Sequence, residues 1–445
     1  MPTRRRHALR LATLLTLSVI FCAPQAIGQT LSKNDREVGR IMLRNVKDSI
    51  KKNYYDPEFH GVNIDETFKA AEEKINEATS NGQVFGIIAK AVRSLNDSHT
   101  SFRPPPRAMR ISYDWQIQMI GDHCYIMAVK PGTDAEAKGL KPGDILHVVD
   151  GYKLTHENFE SFNYLYHALQ PQPALSVVVQ SPGEQPRKVD FNATTRQGKK
   201  VLDLTSAMGG DFYDLIRESQ EYDRIYEHRF KSFGDDLYIW KMPQFDMPVL
   251  QVNKFIEGAG KYKTLILDLR GNPGGYVDTA LQLIGNLFDH DVKVGDRKKR
   301  KETKPLLAKT RGHDIFKGEL IVLVDNGSTS ASEILARVAQ IEKRGTVIGD
   351  RSGGMVMESR YYPFSIGESS TIFYGASITD ADIIMTDGAS LEHVGVTPDK
   401  VMLPTGADLR EQEDPVLSYA ASLAGVKLSP KEAGALFPIR WKLKP

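Results

Sequence analysis

The stretch Asn326-Gly-Ser-Thr-Ser-Ala-Ser-Glu333 joins two runs of different character. Before it stands Leu320-Ile-Val-Leu-Val324, and after it Ile334-Leu-Ala-Arg-Val-Ala-Gln-Ile341, with apolar residues at 334, 335, 338 and 341. A short β-branched apolar run, a Gly/Ser turn and then a helical period predict strand, tight turn and helix. Ser330 therefore falls at a helix N-terminus. There the free N–H groups and the positive end of the helix dipole face the place where an acyl oxyanion would develop, so the hydroxyl is a candidate nucleophile. The same residues also read as a capping box, in which a Ser at N-cap and Glu333 at N3 satisfy each other's backbone donors without chemistry. The octapeptide does not separate the two readings.

Upstream, Thr264-Leu-Ile-Leu-Asp-Leu-Arg-Gly-Asn-Pro-Gly-Gly275 leads into a helical pattern from Val277 to Phe288. The repeated order strand, glycine loop, helix predicts an α/β unit with a largely parallel sheet. The loop has neither G-x-G-x-x-G nor a following Lys-Ser/Thr, which argues against nucleotide binding. Its glycines instead allow a chain to approach closely and offer backbone N–H groups to an oxyanion. Leu237-Tyr-Ile-Trp-Lys-Met-Pro-Gln-Phe245 predicts another strand with a proline exit, and residues 208–232 read as a polar helical connector.

Residues 107–196 form a separate unit centred on 124–151, in the order strand, turn, short helix, turn at Gly143-Asp144, strand, turn at Asp150-Gly151, with a longer helix (Phe159, Phe162, Tyr166, Leu169) behind. This unit resembles a PDZ domain, whose use is to hold an extended peptide as an added strand. Met119-Ile-Gly-Asp122 is a candidate carboxylate loop. Before it, three segments carry apolar residues at spacings of three and four (Val38, Met42, Val46, Ile50; Phe68, Ala71, Ile75; Val84, Ile88, Ala91, Leu95) and predict helices over 29–106. The third runs into Asn96-Asp-Ser-His-Thr-Ser-Phe102 and stops at Pro104-Pro-Pro106. His99 is a candidate base there, although a lone loop histidine is more often a surface side chain.

Residues 1–28 have a basic start (Arg4, Arg5, Arg6, Arg10), an apolar run from Leu11 to Phe21 and Ala26-Ile-Gly28 as a small-x-small site, the pattern of a secretion signal. Bulky Phe21 before Cys22 argues against lipid attachment. Removing the leader takes the Lys+Arg count from 58 to 54 against 56 Asp+Glu, a net charge of −2. Near-neutral charge without a basic stripe gives no support for nucleic-acid binding. Cys124 would then be alone, so no intrachain disulfide forms, which suggests a bacterial envelope compartment, most simply the periplasm. Composition, 41% apolar and 26% charged, is that of a soluble globular chain, and 445 residues predict about three domains.

Asp268-Leu-Arg-Gly-Asn-Pro-Gly-Gly275, Ser328-Thr-Ser-Ala-Ser-Glu333, Asp97-Ser-His-Thr100, the PDZ-like insert and Gly395-Val-Thr-Pro-Asp399 occur together and in order. The set resembles the carboxyl-terminal processing protease family of serine peptidases, which includes the tricorn core protease. The resemblance implies a multidomain α/β protein: an N-terminal helical bundle (29–106), a PDZ-like β-rich domain (107–196) and a crotonase-like spiral peptidase core (197–445). Tail-specific members use a Ser–Lys dyad, with the lysine in a Gly-Lys-Gly setting; here Met355 stands at that place, and no lysine occurs between Lys343 and Lys400. The tricorn-like branch implies a different set, matched by Ser330 as nucleophile, His99 as base, and Ser98 and Glu392 behind it. Backbone N–H groups of Ala331 and of Gly274 or Gly275 would bind the oxyanion. No cofactor is implied, and no ligand cluster has zinc spacing. The expected partners are peptide or polypeptide substrates. The competing reading is a catalytically silent PDZ-containing peptide-binding protein, with His393 a rival base if the site is active.

Overall fold

The computed structural model describes residues 31–107, 109–197, 225–367 and 371–441. The expected leader, Cys22 and the connector over 208–224 lie outside the described residues. The architecture is mixed α/β, with several sheets and flanking helices.

Its centre is a six-stranded sheet in the order Arg229–Phe233, Leu237–Lys241, Thr264–Asp268, Glu319–Val324, Gly345–Gly349 and Lys400–Val401. Only the first pair is antiparallel. Thr264–Asp268 is buried at every position, as expected for a parallel strand covered on both faces by helices. Two cores flank the sheet. One takes Leu265, Leu267, Val322 and Val324 with helices Val249–Ala259, Val277–Gly285 and Ala331–Ile341; the other takes Ile266, Ile321, Leu323 and Ile348 with helix Pro415–Leu423.

In register, Asp268 lies opposite Leu323 on one side and Lys241 on the other. The segments 242–248, 269–276, 325–330 and 350–356 therefore all leave the carboxyl ends of adjacent parallel strands, the end where open α/β sheets hold their ligands.

A second, antiparallel sheet is built on the long strand Ile372–Met385, which pairs with Ser101–Arg103, Val292–Lys299 and Met357–Ile366. Helices Lys33–Asn53, Ile64–Glu77 and Asn81–Arg93 pack on it, and Met42, Val46, Ile50, Phe68, Ile75 and Ile88 share one core with Phe102, Tyr374 and Ile378. That shared core carries the loop 97–100 to the site. A third sheet, of strands between Trp115 and Asn192, encloses Ile126, Leu146, Val177 and Phe191 and is backed by helix His156–Tyr164. Its hairpin turn touches the central unit: Gln118 Nε2 donates to Asp325 Oδ2 (2.6 Å) and Gly121 N–H to Asp350 Oδ2 (2.8 Å).

Two sequence expectations need correction. Residues 229–233 are an edge strand rather than helix: they pair with Leu237–Lys241, and Phe230 and Phe233 pack into the two different cores on opposite faces of the sheet. The helix after the glycine loop ends at Gly285, short of Phe288. The tail beyond Ala424 contains a further helix, Pro430–Leu436, capped by Ser429 and packed on Pro415–Leu423.

Candidate active site

Ser330 is the N-cap of helix Ala331–Ile341 and has φ 57°, ψ −118°. A β-carbon makes positive φ costly, by about 1–3 kcal/mol at sites of this kind, so the surroundings must impose it. Several contacts do. Thr329 N–H donates to the Asn272 carbonyl (3.0 Å) and Ser332 Oγ to the same oxygen (3.0 Å). Ser328 Oγ donates to the Leu269 carbonyl (2.8 Å), and Asp325 Oδ1 accepts from Gly271 N–H (2.8 Å) and Gly327 N–H (3.0 Å). The nucleophile turn and the glycine loop are thus one hydrogen-bonded body.

The capping-box half that involves Glu333 is formed: Ser330 N–H donates to Glu333 Oε2 (2.9 Å). Glu333 N–H donates to the Ser330 carbonyl (2.9 Å), and the Ser330 side chain faces that same N–H as the other half of the capping box without completing a cap hydrogen bond. Cap and nucleophile are therefore compatible, since the carboxylate does the capping and the hydroxyl stays available. Glu333 is fully buried and accepts three further bonds, from Ser352 Oγ (2.6 Å), Gly354 N–H (2.7 Å) and Met355 N–H (2.9 Å). Burial nonetheless raises its pKa above the ordinary carboxylate value.

The next peptide of that segment reaches the second half of the site, because Val356 N–H donates to Glu392 Oε2 (2.9 Å). Glu392 also accepts from Ser98 N–H at Oε1 (2.7 Å) and from Ser98 Oγ at Oε2 (2.9 Å), and Ser98 Oγ lies 2.7 Å from His99 Nδ1. An ionised carboxylate only accepts, so the Ser98 hydroxyl donates to Glu392 and accepts from His99 Nδ1–H. This assignment leaves Nε2 as the imidazole lone pair. Burial lowers the His99 pKa below 6.5, with Asp97 opposing the shift. His99 and Ser330 do not share a hydrogen bond; such contacts commonly tighten only around substrate. His393 is exposed, and its Nε2 bonds the Asn96 carbonyl (2.8 Å).

On the other side of Ser330, Gly274 (φ 90°) stands so close that a β-carbon there would lie 2.7 Å from Ser330 Cβ and 2.9 Å from Ala331 N. Its own N–H donates to Asn272 Oδ1 (2.8 Å). Gly275, φ 143°, is exposed. Beneath the loop, Asp268 pairs with Lys241 (3.1 Å) and Arg270 (2.8 Å), and Arg270 also with Asp414 (2.7 Å). Although burial opposes it, Arg270 and Lys241 hold the Asp268 carboxyl well below its usual range. Lys241 donates to Asp268 and to the Arg270 carbonyl (2.7 Å), so this buried lysine is committed to the loop's foundation. The candidate oxyanion residues and Ser330 had sequence signals. Asn272, Asp325 and the multiple contacts of Glu333 did not, because each is defined by a partner on another loop.

An α/β serine hydrolase is the class that this arrangement defines. Residues 238–402 match the family model described as Peptidase family S41, so the chain carries a serine peptidase domain of that kind and is homologous to carboxy-terminal-processing proteases. It is 24% identical over 340 residues to a carboxy-terminal-processing protease of Bartonella bacilliformis, covering 74% of this chain and 70% of the relative. It is 24% identical over 431 residues to the chloroplastic carboxyl-terminal-processing peptidase 3 of Arabidopsis thaliana, covering 90% and 78%. Among solved structures, mature CPAF superposes with TM-score 0.62 at 15% identity, over 84% of this chain and 94% of that one. The photosystem II D1 C-terminal processing protease gives 0.50 at 18%, over 90% and 99%. These two likenesses establish the fold.

Proposed function

We propose that the chain is an exported endopeptidase of the bacterial periplasm that cuts unfolded or C-terminal peptide segments through Ser330, His99, Ser98 and Glu392. The observation that carries this reading is the relay from His99 Nδ1 through Ser98 Oγ to Glu392, which leaves Nε2 able to accept a proton. Ser330 Oγ attacks the scissile carbonyl while its proton passes to His99 Nε2. Glu392, acting through Ser98, stabilises the imidazolium. The N–H groups of Ala331 and Gly275 receive the oxyanion, since that of Gly274 is engaged by Asn272, and Gly274 contributes by lacking a side chain against Ser330. His99 then protonates the leaving amine, and water releases the acyl group by the same route. Met355 needs no replacement by lysine, because a base is already present. The strand order of residues 115–192 supports a PDZ-like role in recruiting or gating substrate, and the contacts of Gln118 with Asp325 and of Gly121 with Asp350 place that unit against the loops around Ser330. No described helix is long and apolar enough to cross a membrane.

A fluorophosphonate probe tests the reading. Labelling of the folded wild type that disappears in Ser330→Ala is expected, whereas an unlabelled wild type across pH 5–9 would favour the silent peptide-binding protein. The pH dependence follows from the site. A lowered pKa keeps His99 neutral to lower pH, so kcat/KM on a peptide substrate is expected to rise through a midpoint below 6.5 and to be complete at neutral pH. A midpoint well above 7 would contradict a buried imidazole base.

A further inference from the structure

Asp97 lies outside the four residues named above, two positions before His99. Its Oδ1 accepts three hydrogen bonds: from His99 N–H (2.9 Å), Thr100 N–H (2.6 Å) and Thr379 Oγ1 (2.7 Å). Thr379 belongs to strand Ile372–Met385, and its own N–H donates to Thr100 Oγ1 (3.0 Å), so the loop bearing the base is bolted to the second sheet through this carboxylate oxygen and through Thr100. The other oxygen, Oδ2, is buried beside the hydroxyl of Tyr54, which faces the Asp97 carboxylate as a neutral donor; neither atom has another partner. No cation pairs with Asp97 among the described residues. A buried carboxylate held only by neutral donors is costly, and its place beside a candidate base calls for a functional reason.

We propose that Asp97 is a positioning residue for the base: Oδ1 fixes the backbone of His99, and a negative charge held by neutral donors alone favours the imidazolium that forms when His99 takes the Ser330 proton. This rests on the assignment of His99 as base. The other titratable groups around the ring are Glu392, behind Ser98, with His393 at 3.6 Å from it; Tyr54, Tyr55, Asp56 and His60 after the first helix; and Asp382 on the strand that carries Thr379. Glu392 speaks to His99 through a hydroxyl. Asp97 acts through its charge and through the peptide bond, which makes the two carboxylates separable by experiment. The direction agrees with the charge of Asp97 raising the His99 pKa against the effect of burial.

The test compares wild type, Asp97→Asn, Thr379→Val and His99→Ala across pH 4.5–8 on one peptide substrate. Asn keeps the Oδ1 acceptor and removes the charge. Its acid-limb midpoint is expected to fall by about one pH unit, and its plateau kcat by about three- to tenfold, with KM unchanged. Thr379→Val removes two hydrogen bonds, one to Asp97 Oδ1 and one from Thr100 Oγ1, and no charge, so its midpoint should remain at the wild-type value. Should Asp97→Asn not fold, Asp97→Ser, whose hydroxyl can also accept from the following N–H groups, is expected to show the same shift. A midpoint in the uncharged variants within about 0.2 of wild type would overturn the electrostatic role. A shift of equal size in Thr379→Val would assign the effect to loop order instead of charge. Substantial turnover in His99→Ala refutes the base itself, a result distinct from either.

Discussion

Truncation of His99 to alanine is expected to lower kcat by about 10⁴- to 10⁶-fold, as much as Ser330→Ala, because members of such a constellation act as a unit. The other candidate acceptors are engaged: Glu333 Oε2 takes the N–H groups of Ser330 and Met355, and Lys241 is committed to Asp268 and the Arg270 carbonyl. Residual activity would come from the oxyanion donors and substrate binding alone. Glu392→Gln should cost less than either, since it weakens the orientation of Ser98 and the charge behind the imidazolium but leaves the proton acceptor in place. Steady-state kinetics on one peptide decides the matter. Retention of more than about a tenth of wild-type turnover in His99→Ala would leave under about 1.4 kcal/mol of barrier resting on that ring, and His393 would be the next to test.

Glu333→Ala is expected to be the most destabilising single truncation in the site. Four donors lose their acceptor at once: the N–H groups of Ser330, Gly354 and Met355 and the hydroxyl of Ser352. A buried donor left unpaired costs about 1–3 kcal/mol, so a loss of roughly 4 kcal/mol follows even if water re-enters part of the space. In a domain of this size that is about 10 °C in Tm, readable by thermal unfolding. Fluorophosphonate labelling should fall with it at temperatures where the variant is still folded, because the segment 352–356 ties both Glu333 and Glu392. A Tm within about 2 °C of wild type would mean that the donors find other partners and that the carboxylate is dispensable to the fold.

The parallel core was legible because its signals are local: Leu320–Val324 is continuously apolar, the following turn is Gly/Ser-rich, and 334–341 has a helical period. Ser330 was legible as a position but not as a conformation, since φ 57° is held by contacts to Asn272 on another loop as well as by Glu333 in the same turn. The approach of Ser98 to Glu392 spans 294 residues and has no local trace. Motif order pointed to it, and chemistry alone would have left Glu392 a solvated loop carboxylate. The choice between Gly274 and Gly275 could not be read either, because it turns on whether Asn272 Oδ1 takes one N–H. Residues 229–232 misled in reverse: a polar stretch read as a helical connector, and the pairing with Leu237–Lys241 that makes it a strand left no local trace.

The backbone at Ser330 also bears on how this chain tolerates change. Glycine populates positive φ without the steric cost that a β-carbon brings. Measured by folding alone, then, glycine would suit position 330 on conformational grounds, and serine is kept there for its hydroxyl. Thermostability and turnover pull in opposite directions at this one residue. A search for stabilised variants that scores folding alone would, on the proposed role of Ser330, drift toward the same fold without its nucleophile.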